Sequence, residues 1–497
     1  MKSALGRLLK WVAALAAASL VTLLAVRAYD AQRGPPLERW HTFVPHELTA
    51  AELGHADWAQ YLAAEQRAFD EVRTEVTDKL DPASRNLANR YFAGSSIHPA
   101  RFAHDWNRSV ILEPAGVPVG AVVLLHGLTD SPYSVRHVAQ RYRDHGYVAV
   151  ALRLPGHGTV PGGLTSVQWE AWSAATRVAV AEARRRVGAP APLHLVGYSN
   201  GGALAMKYAL DALADKALAR PDRIVLISPM IGITSFARFA GVLGWPAVFP
   251  SFAKAAWLGI VPEFNPFKYN SFPVNAARQS SLVARTLQAQ IVAHAADGRL
   301  TELAPVLTFQ SVVDFTVSTR AIIDALYVHL PANGSELVLY DLNRDARFDP
   351  LLRTGEDNVV AQLLPAPPRR FRTAVVTNAD PDAAAVVERV TAAGATTSTT
   401  RPLSLEWPSD FFSLSHIALP FPLDDSLYGA TPNPADDFGV HLGAIAARGE
   451  RETLVISLDA LNRVSSNPFF PYLLERIDDG LGPVRGPGGG AAKRAVD

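Results

Sequence analysis

Three features of the sequence predict an α/β fold with a mostly parallel sheet flanked by helices. From about Ser109, short β-branched runs alternate with amphipathic helical patterns, which is typical of strand–helix–strand units. Of the 497 residues, 48% are hydrophobic, which is enough for a large core. Glycine-rich turns follow several of the runs, as expected where strands pass into helices.

This alternation predicts one large domain over residues 109–480. Strands are expected at 120–125, 147–152, 192–196, 223–227, 305–310 and 336–340, and helices at 133–144, 166–187, 202–213 and 318–330. A proline-broken segment rich in Phe and Trp, at about 230–297, favours an inserted helical cap. A second insertion, at about 342–408, contains a predicted strand at 372–377 and a predicted helix at 381–394.

The N-terminal segment 1–30 is interpreted as a membrane anchor. Basic residues precede an uncharged run at 11–26, which ends at Arg27. Its 16 residues span about 24 Å as a helix, and Lys10 and Arg27 can snorkel to the surface of a ~30 Å hydrocarbon layer. The basic flank predicts a single-pass protein of the bacterial inner membrane with a periplasmic body. Cleavage as a signal peptide, giving a secreted protein, is the alternative.

The remaining terminal regions have simpler interpretations. Residues 31–108 are predicted to form a helical extension, with an amphipathic helix over about 49–80 that packs against the main domain. The Gly- and Pro-rich tail at 481–497 is predicted to be disordered. The sequence carries no indication of the oligomeric state.

Composition excludes several classes of function. With 47 basic and 47 acidic residues and no local basic patch, no nucleic-acid partner is predicted. The absence of cysteine excludes disulfides, Cys-ligated metals and a thiol nucleophile. The histidines show no spacing typical of a metal site. We therefore predict chemistry without a metal or a cofactor.

Ser199 is the predicted nucleophile. It lies in Gly197-Tyr198-Ser199-Asn200-Gly201-Gly202, between a predicted strand and a predicted helix. In a nucleophile elbow, the serine occupies a tight strand-to-helix turn, and glycines two residues to either side let neighbouring backbone pass. A glycine-rich turn with an incidental serine is the alternative, and the flanking strand and helix disfavour it.

The predicted oxyanion hole combines two loops. The tetrahedral intermediate of acyl transfer needs N–H donors from the residue after the nucleophile and from a loop after an earlier strand. Asn200 holds the first position, and Leu128, in the His126-Gly127-Leu128 segment after the strand at 120–125, holds the second. His126 is interpreted as a residue that shapes this loop and not as the general base.

Asp314 is the predicted acid of a Ser-His-Asp triad. A serine hydroxyl needs a histidine to take its proton and a carboxylate to orient that histidine. Asp314 closely follows the strand at 305–310, in the order nucleophile, acid, histidine that elbow enzymes use. Asp324, in the following predicted helix, and Asp341, after the next strand, rank below it.

His416 is the predicted general base. It follows the last core strands and precedes two prolines. His441 and His329 are weaker alternatives because both are expected in helical stretches. His157, in Pro155-Gly156-His157-Gly158, and the cap residue Trp257 are candidate residues of the substrate pocket, although a tight surface turn would also explain the former segment.

At these residues the sequence resembles the α/β-hydrolase family, in the bacterial carboxylesterase, monoacylglycerol lipase and lysophospholipase group that overlaps the serine aminopeptidase S33 grouping. The resemblance covers about 109–477 and includes the His126-Gly127 loop, the Pro155-Gly156-His157-Gly158 turn, Ser199, Asp314 and Ser415-His416. It implies an α/β-hydrolase fold and a serine esterase or lipase. Related enzymes place acid and base closer together in the sequence. Here the second insertion separates Asp314 from His416.

The favoured function is cleavage of carboxylic esters with apolar or acyl groups, including lipid esters. The aromatic cap and the membrane anchor favour such substrates. Peptide, amide or thioester cleavage by the same triad is the alternative. A free α-amino substrate would need acidic residues in the cap, where Glu263 is the only one before Asp297. A noncatalytic binding protein on this fold is a remote third possibility.

Overall fold

The computed structural model describes residues 2–232, 245–314, 316–343, 359–380, 383–408, 413–443 and 466–481. Its centre is a ten-stranded sheet. Seven neighbouring strands run parallel, and the one strand on one side of them and the two on the other pair antiparallel with their neighbours. The predicted fold class is therefore confirmed.

The strands match the predicted β-branched runs closely. The large sheet contains β1 (Val110–Leu112), β2 (Gly120–Leu125), β3 (Tyr147–Leu152), β4 (Leu193–Tyr198), β5 (Arg223–Ile227), β8 (Val306–Ser311), β9 (Glu336–Tyr340), β10 (Arg372–Asn378), β11 (Ala385–Thr391) and β12 (Thr399–Glu406). The spatial order of these ten strands is β1-β3-β2-β4-β5-β8-β9-β10-β11-β12, and the strands from β3 to β10 in that order are the parallel ones. A separate pair in the cap contains β6 (Trp257–Gly259) and β7 (Phe272–Pro273).

Helices cover both faces of the sheet. The α-helices are α1 (Lys2–Arg33), α2 (Arg39–Thr42), α3 (Ala50–Leu53), α4 (Trp58–Val72), α5 (Arg136–Asp144), α6 (Trp169–Val187), α7 (Asn200–Ala214), α8 (Val274–Ala296), α9 (Thr319–Ile322), α10 (Val359–Leu363) and α11 (Phe470–Asp478). Two π-helical turns, Arg73–Thr77 and Ile323–Tyr327, continue α4 and α9.

The core has two layers because side chains alternate between the faces of a strand. Val123 belongs to the layer formed with α6 and α7, and Val122 belongs to the opposite layer, which includes residues of α5 and α11. All six residues of β2 are buried. Such strands, covered on both faces, position the loops at their carboxyl ends, where the predicted site residues lie.

The N-terminal region has one exposed helix and a packed extension. In α1, the candidate span Leu5–Asp30 contains an 18-residue stretch with a mean hydropathy of 2.0, and none of that stretch is buried. It could cross a membrane by length and composition only. The helix predicted over 49–80 is instead interrupted between α3 and α4, because Thr49 and Asp57 each cap a new helix start.

Two other predictions of secondary structure are wrong. The segment 381–394, predicted as a helix, contains strand β11, whose pairing with β10 and β12 overrides its helical composition. His441 lies in irregular structure and not in a helix. In the cap, the described residues combine short turns, the β6–β7 pair and one long helix, α8. The cap aromatics Phe236 and Phe239 and the tail at 482–497 lie outside the described residues.

Candidate active site

Ser199 occupies a sharp turn between β4 and α7. Its backbone has φ 53° and ψ −116°, a conformation that costs energy in a residue with a side chain. The surrounding glycines are required by close packing. A Cβ atom at Gly201 would lie 2.1 Å from the Leu125 carbonyl oxygen, and one at Gly197 would lie 2.4 Å from the Gly201 carbonyl oxygen. The turn therefore depends on glycine at these positions.

Ser199, His416 and Asp314 are brought together in one hydrogen-bonded chain. The Ser199 Oγ atom lies 3.0 Å from His416 Nε2, and His416 Nδ1 lies 2.9 Å from Asp314 Oδ2. Ser199 and His416 are 3% and 8% exposed. These distances allow a proton to pass from the hydroxyl to the imidazole while the carboxylate holds the other ring nitrogen.

The Asp314 carboxylate is held by four other groups. Its Oδ1 atom accepts from the backbone N–H groups of Thr316 and Val317, at 2.8 and 3.0 Å. Its Oδ2 atom accepts from Ser228 Oγ at 3.1 Å and Gln310 Nε2 at 3.2 Å. Burial alone would raise the pKa of Asp314, but the charge of His416 and the hydrogen bonds from His416, Val317 and Thr316 outweigh it and lower the pKa. Asp314 is therefore set to stay ionised.

The two predicted oxyanion donors lie on either side of the elbow. Asn200 begins α7, so its N–H has no partner within the helix. A Cβ atom at Gly127 would lie 3.3 Å from Ser199 Cβ, which brings the loop that carries Leu128 close to the serine. Neither N–H donates a hydrogen bond to another backbone group in the described residues. Both are available to a bound oxyanion.

A family model described as "Serine aminopeptidase, S33" matches residues 116–343. The matched segment contains Leu128, Ser199, Asn200 and Asp314, and His416 follows it. The chain contains an α/β-hydrolase domain.

Part of the chain is similar in sequence to one curated lipase. A thermostable monoacylglycerol lipase from Bacillus sp. (strain H-257) is 33% identical over 89 residues, which are 18% of this chain and 34% of the relative. The chain thus matches about a third of that relative's length. Among solved structures, monoglyceride lipase from Saccharomyces cerevisiae is 14% identical with a TM-score of 0.37, covering 47% of this chain and 81% of the other. The Paleococcus ferrophilus monoacylglycerol lipase is 19% identical with a TM-score of 0.34, covering 52% and 96%.

The alternative acids and bases lie in other surroundings. Asp341 accepts a hydrogen bond from Thr377 Oγ1 at 3.0 Å, and Asp324 lies in the π-helical turn after α9. His441 Nδ1 lies 2.8 Å from the Ser426 carbonyl oxygen. His329 follows the same π-helical turn as Asp324. The hydrogen-bonded chain to Ser199 contains none of them.

His157 and Trp257 are both buried among neighbouring residues. The His157 ring is 5.0 Å from the His126 ring and 5.6 Å from the Trp172 ring, and burial lowers its pKa to about 3. Trp257 is 3% exposed, and its ring meets that of His41 edge-on at 4.9 Å. Trp257 thus contacts the N-terminal extension. Their predicted contacts with substrate stay predictions.

Two residues that sequence reasoning missed support the site. Ser228, at the carboxyl end of β5, has φ 41° and donates to Asp314. Ser280, on the cap helix α8, donates from Oγ to Asn200 Oδ1 at 2.6 Å, which ties the cap to the elbow. Ser228 could have been found because it is a polar residue directly after a buried strand. No local pattern identifies Ser280. Among the described residues, no group of three or more His, Asp or Glu side chains is arranged to hold a metal ion.

Proposed function

We propose that the chain is a serine hydrolase that cleaves carboxylic esters through a Ser199-His416-Asp314 triad. The observation that carries this proposal is the continuous chain of 3.0 and 2.9 Å contacts from Ser199 through His416 to Asp314. Within the part of the chain that the structure describes, no other serine, histidine and carboxylate form such a chain of contacts.

In the proposed mechanism, His416 Nε2 accepts the Ser199 proton as Oγ attacks the ester carbonyl carbon. The carbonyl oxygen becomes an oxyanion, which accepts hydrogen bonds from the Leu128 and Asn200 N–H groups. His416 then returns the proton to the leaving alcohol, and an acyl-enzyme remains on Ser199. Water, deprotonated by His416, attacks this ester and releases the acid. Asp314 holds the imidazole in the required tautomer and stabilises its positive charge.

We further propose that the substrate is an apolar acyl ester, including esters of lipids. The match to a monoacylglycerol lipase supports this class. So does the exposed apolar helix α1, which would hold the hydrolase domain beside a membrane. We propose that this helix is an uncleaved anchor in the inner membrane, with the domain in the periplasm.

The test compares the full chain with Ser199→Ala, using a fluorophosphonate probe and p-nitrophenyl esters of increasing acyl length. We expect covalent labelling and ester turnover by the parent chain and a loss of at least about a thousandfold in the variant. Unchanged labelling of Ser199→Ala would overturn the nucleophile assignment. Matched anilides in the same assay should turn over far more slowly than esters.

Amide or peptide cleavage is the second candidate because the matched family model is described as a serine aminopeptidase. Recognition of a free α-amino group requires a carboxylate near the substrate. In the described cap, Glu263 is 1% exposed and accepts from the Asn270 and Ser271 backbone N–H groups. It is therefore committed to the cap's own backbone. Preferred turnover of anilides would favour this second function.

A further inference from the structure

We propose that Glu47, in the N-terminal extension, is a positioning residue for the oxyanion hole. This inference rests on the proposed function. Glu47 lies outside the segment 116–343 that matches the family model. A chain of buried contacts leads from its carboxylate to the peptide unit that carries the Leu128 N–H.

The series of contacts begins at the turn after β3, where Arg153 pairs with carboxylates of the extension. The Arg153 side chain is fully buried, and its two terminal nitrogens donate to the two Glu47 oxygens at 2.6 and 2.9 Å. Glu47 Oε1 also accepts from the Gly156 N–H at 2.9 Å. Glu65, also in the extension, accepts from Arg153 Nε at 3.0 Å. Paired, doubly bonded contacts of this kind define orientation as well as distance.

The same turn holds the His126 ring. The Leu154 N–H donates to His126 Nε2 at 3.0 Å. Because that nitrogen accepts a hydrogen bond, the ring proton must lie on Nδ1. His126 Nδ1 is 2.8 Å from the Gly127 carbonyl oxygen and so donates to it. His126 is completely buried, and burial together with the nearby His157 ring keeps its pKa well below the ordinary value. The ring is therefore neutral.

The last contact reaches the catalytic donor directly. The Gly127 carbonyl and the Leu128 N–H belong to one planar peptide unit. A hydrogen bond to the carbonyl therefore orients the N–H and polarises it as a donor. A second tie holds the same loop, because the Tyr269 N–H donates to the Thr129 carbonyl at 2.7 Å and Tyr269 Oη donates to the Gly156 carbonyl at 3.1 Å. The connections through His126 and through Tyr269 both end on the turn after β3, with which Glu47 forms its hydrogen bonds.

This arrangement makes a specific kinetic prediction. An oxyanion forms only in the transition state and in tetrahedral intermediates, so a displaced Leu128 N–H lowers kcat and leaves ground-state binding intact. We expect Glu47→Gln to lower kcat about ten- to a hundredfold, less than removal of one oxyanion donor, with KM changed less than about twofold. Affinity for a trifluoromethyl ketone that forms a tetrahedral adduct should fall by the same factor as kcat.

The experiment uses the full chain in detergent with a soluble ester, and active sites are titrated so that kcat refers to folded enzyme. Glu75→Gln is the matched control, because Glu75 is an exposed carboxylate of the same extension that pairs with Lys79. It should behave as the parent chain. The double variant Glu47→Gln/His126→Ala should be no slower than His126→Ala alone, because both changes interrupt one chain of contacts.

Three outcomes would overturn the assignment. One is parental kcat and ketone affinity in Glu47→Gln. Another is a loss that appears only as fewer titratable sites, which indicates a purely structural role. The third is independent, additive effects of the two changes. Failure of the proposed function is distinguishable, because it would appear as unchanged labelling and turnover in Ser199→Ala.

Discussion

The N-terminal extension and the second insertion both lie outside the segment that matches the family model, yet their charged residues have different destinations. From the extension, Glu47 and Glu65 reach Arg153, which is fully buried in the turn beside the oxyanion loop. In the insertion, Glu388 on β11 pairs with Arg372 on β10 and Arg401 on β12. One set of charges joins an added segment to the turn beside the predicted oxyanion loop. The other joins the added strands to each other and, through Arg372 and Arg401, to Glu336 on β9 and Glu475 on α11.

The insertion serves the site by carrying the chain back to it. Strands β10 to β12 extend the sheet, and the chain then passes through Trp407 to His416. Trp407 is 2% exposed and meets the Phe469 ring edge-on at 4.7 Å. Its layer of the core also contains Leu414, two residues before His416. An added segment can therefore be joined to a domain through buried charge or through packing alone.

Breaking the charged contact of the extension should have the largest effect. Arg153→Met leaves the Glu47 and Glu65 carboxylates without their cation, and removing one partner of a buried pair costs about 3–5 kcal/mol. We expect that loss in the free energy of unfolding, measured by urea denaturation, together with a fall in kcat per titrated site. A variant as stable and active as the parent would show that the contacts of the extension with Arg153 contribute neither to stability nor to kcat.

Packing in the insertion should matter to stability and not to chemistry. Trp407→Ala removes a buried aromatic side chain, which costs about 3 kcal/mol or more through lost burial and the cavity left behind. We expect a lower urea midpoint and fewer titratable sites, with kcat per site within about twofold of the parent. A large fall in kcat per site would show that the insertion helps to place His416.

Local patterns predicted much of this arrangement. The β-branched runs at 120–125, 147–152, 223–227 and 336–340 match strands, because strands buried on both faces need apolar residues at every position. The strand at 385–391 was missed, because its alanines and charges resemble a helix and only its neighbours make it a strand. Propensity is a weak guide where pairing partners decide.

The geometry of the candidate site was predictable where it depends on neighbouring residues in the sequence. The glycines around Ser199 mark the elbow within six residues, and the rule of polar residues after strands selects Asp314. Contacts such as Glu47 with Arg153, 106 residues apart, leave no signal in either segment. Their partners become evident only when the fold brings them together, so sequence reasoning assigned no chemistry to the extension.

The Glu388 cluster, formed by Glu388 with Arg372, Arg401 and Tyr472, should contribute to the free energy of unfolding in a way that depends on pH. Burial alone would raise the pKa of Glu388, but hydrogen bonds from Tyr472, Arg401 and Arg372 outweigh it and lower the pKa below the ordinary value of 4.5. A carboxyl whose pKa is lower in the folded state contributes stability above the unfolded pKa and loses it as pH falls through the folded pKa. The stability gap between the parent chain and Glu388→Gln should therefore be constant above about pH 5 and shrink below it. Urea unfolding between about pH 7 and pH 3 measures this, and a gap that widens towards acid would contradict it.

The smallest effect is expected at the exposed end of that cluster. The Arg401 side chain is 50% exposed and contacts Glu388 and the 54%-exposed Glu475. Water screens the Arg401 guanidinium, and Arg372 still pairs with the buried Glu388 carboxylate, so Arg401→Gln should cost less than about 1 kcal/mol and leave kcat per site unchanged. Like Arg153→Met, this variant takes one arginine from two carboxylates, so the contrast isolates what burial and destination add. Similar losses of stability and kcat in the two variants would mean that the charges of the extension affect the candidate site no more than those of the insertion do.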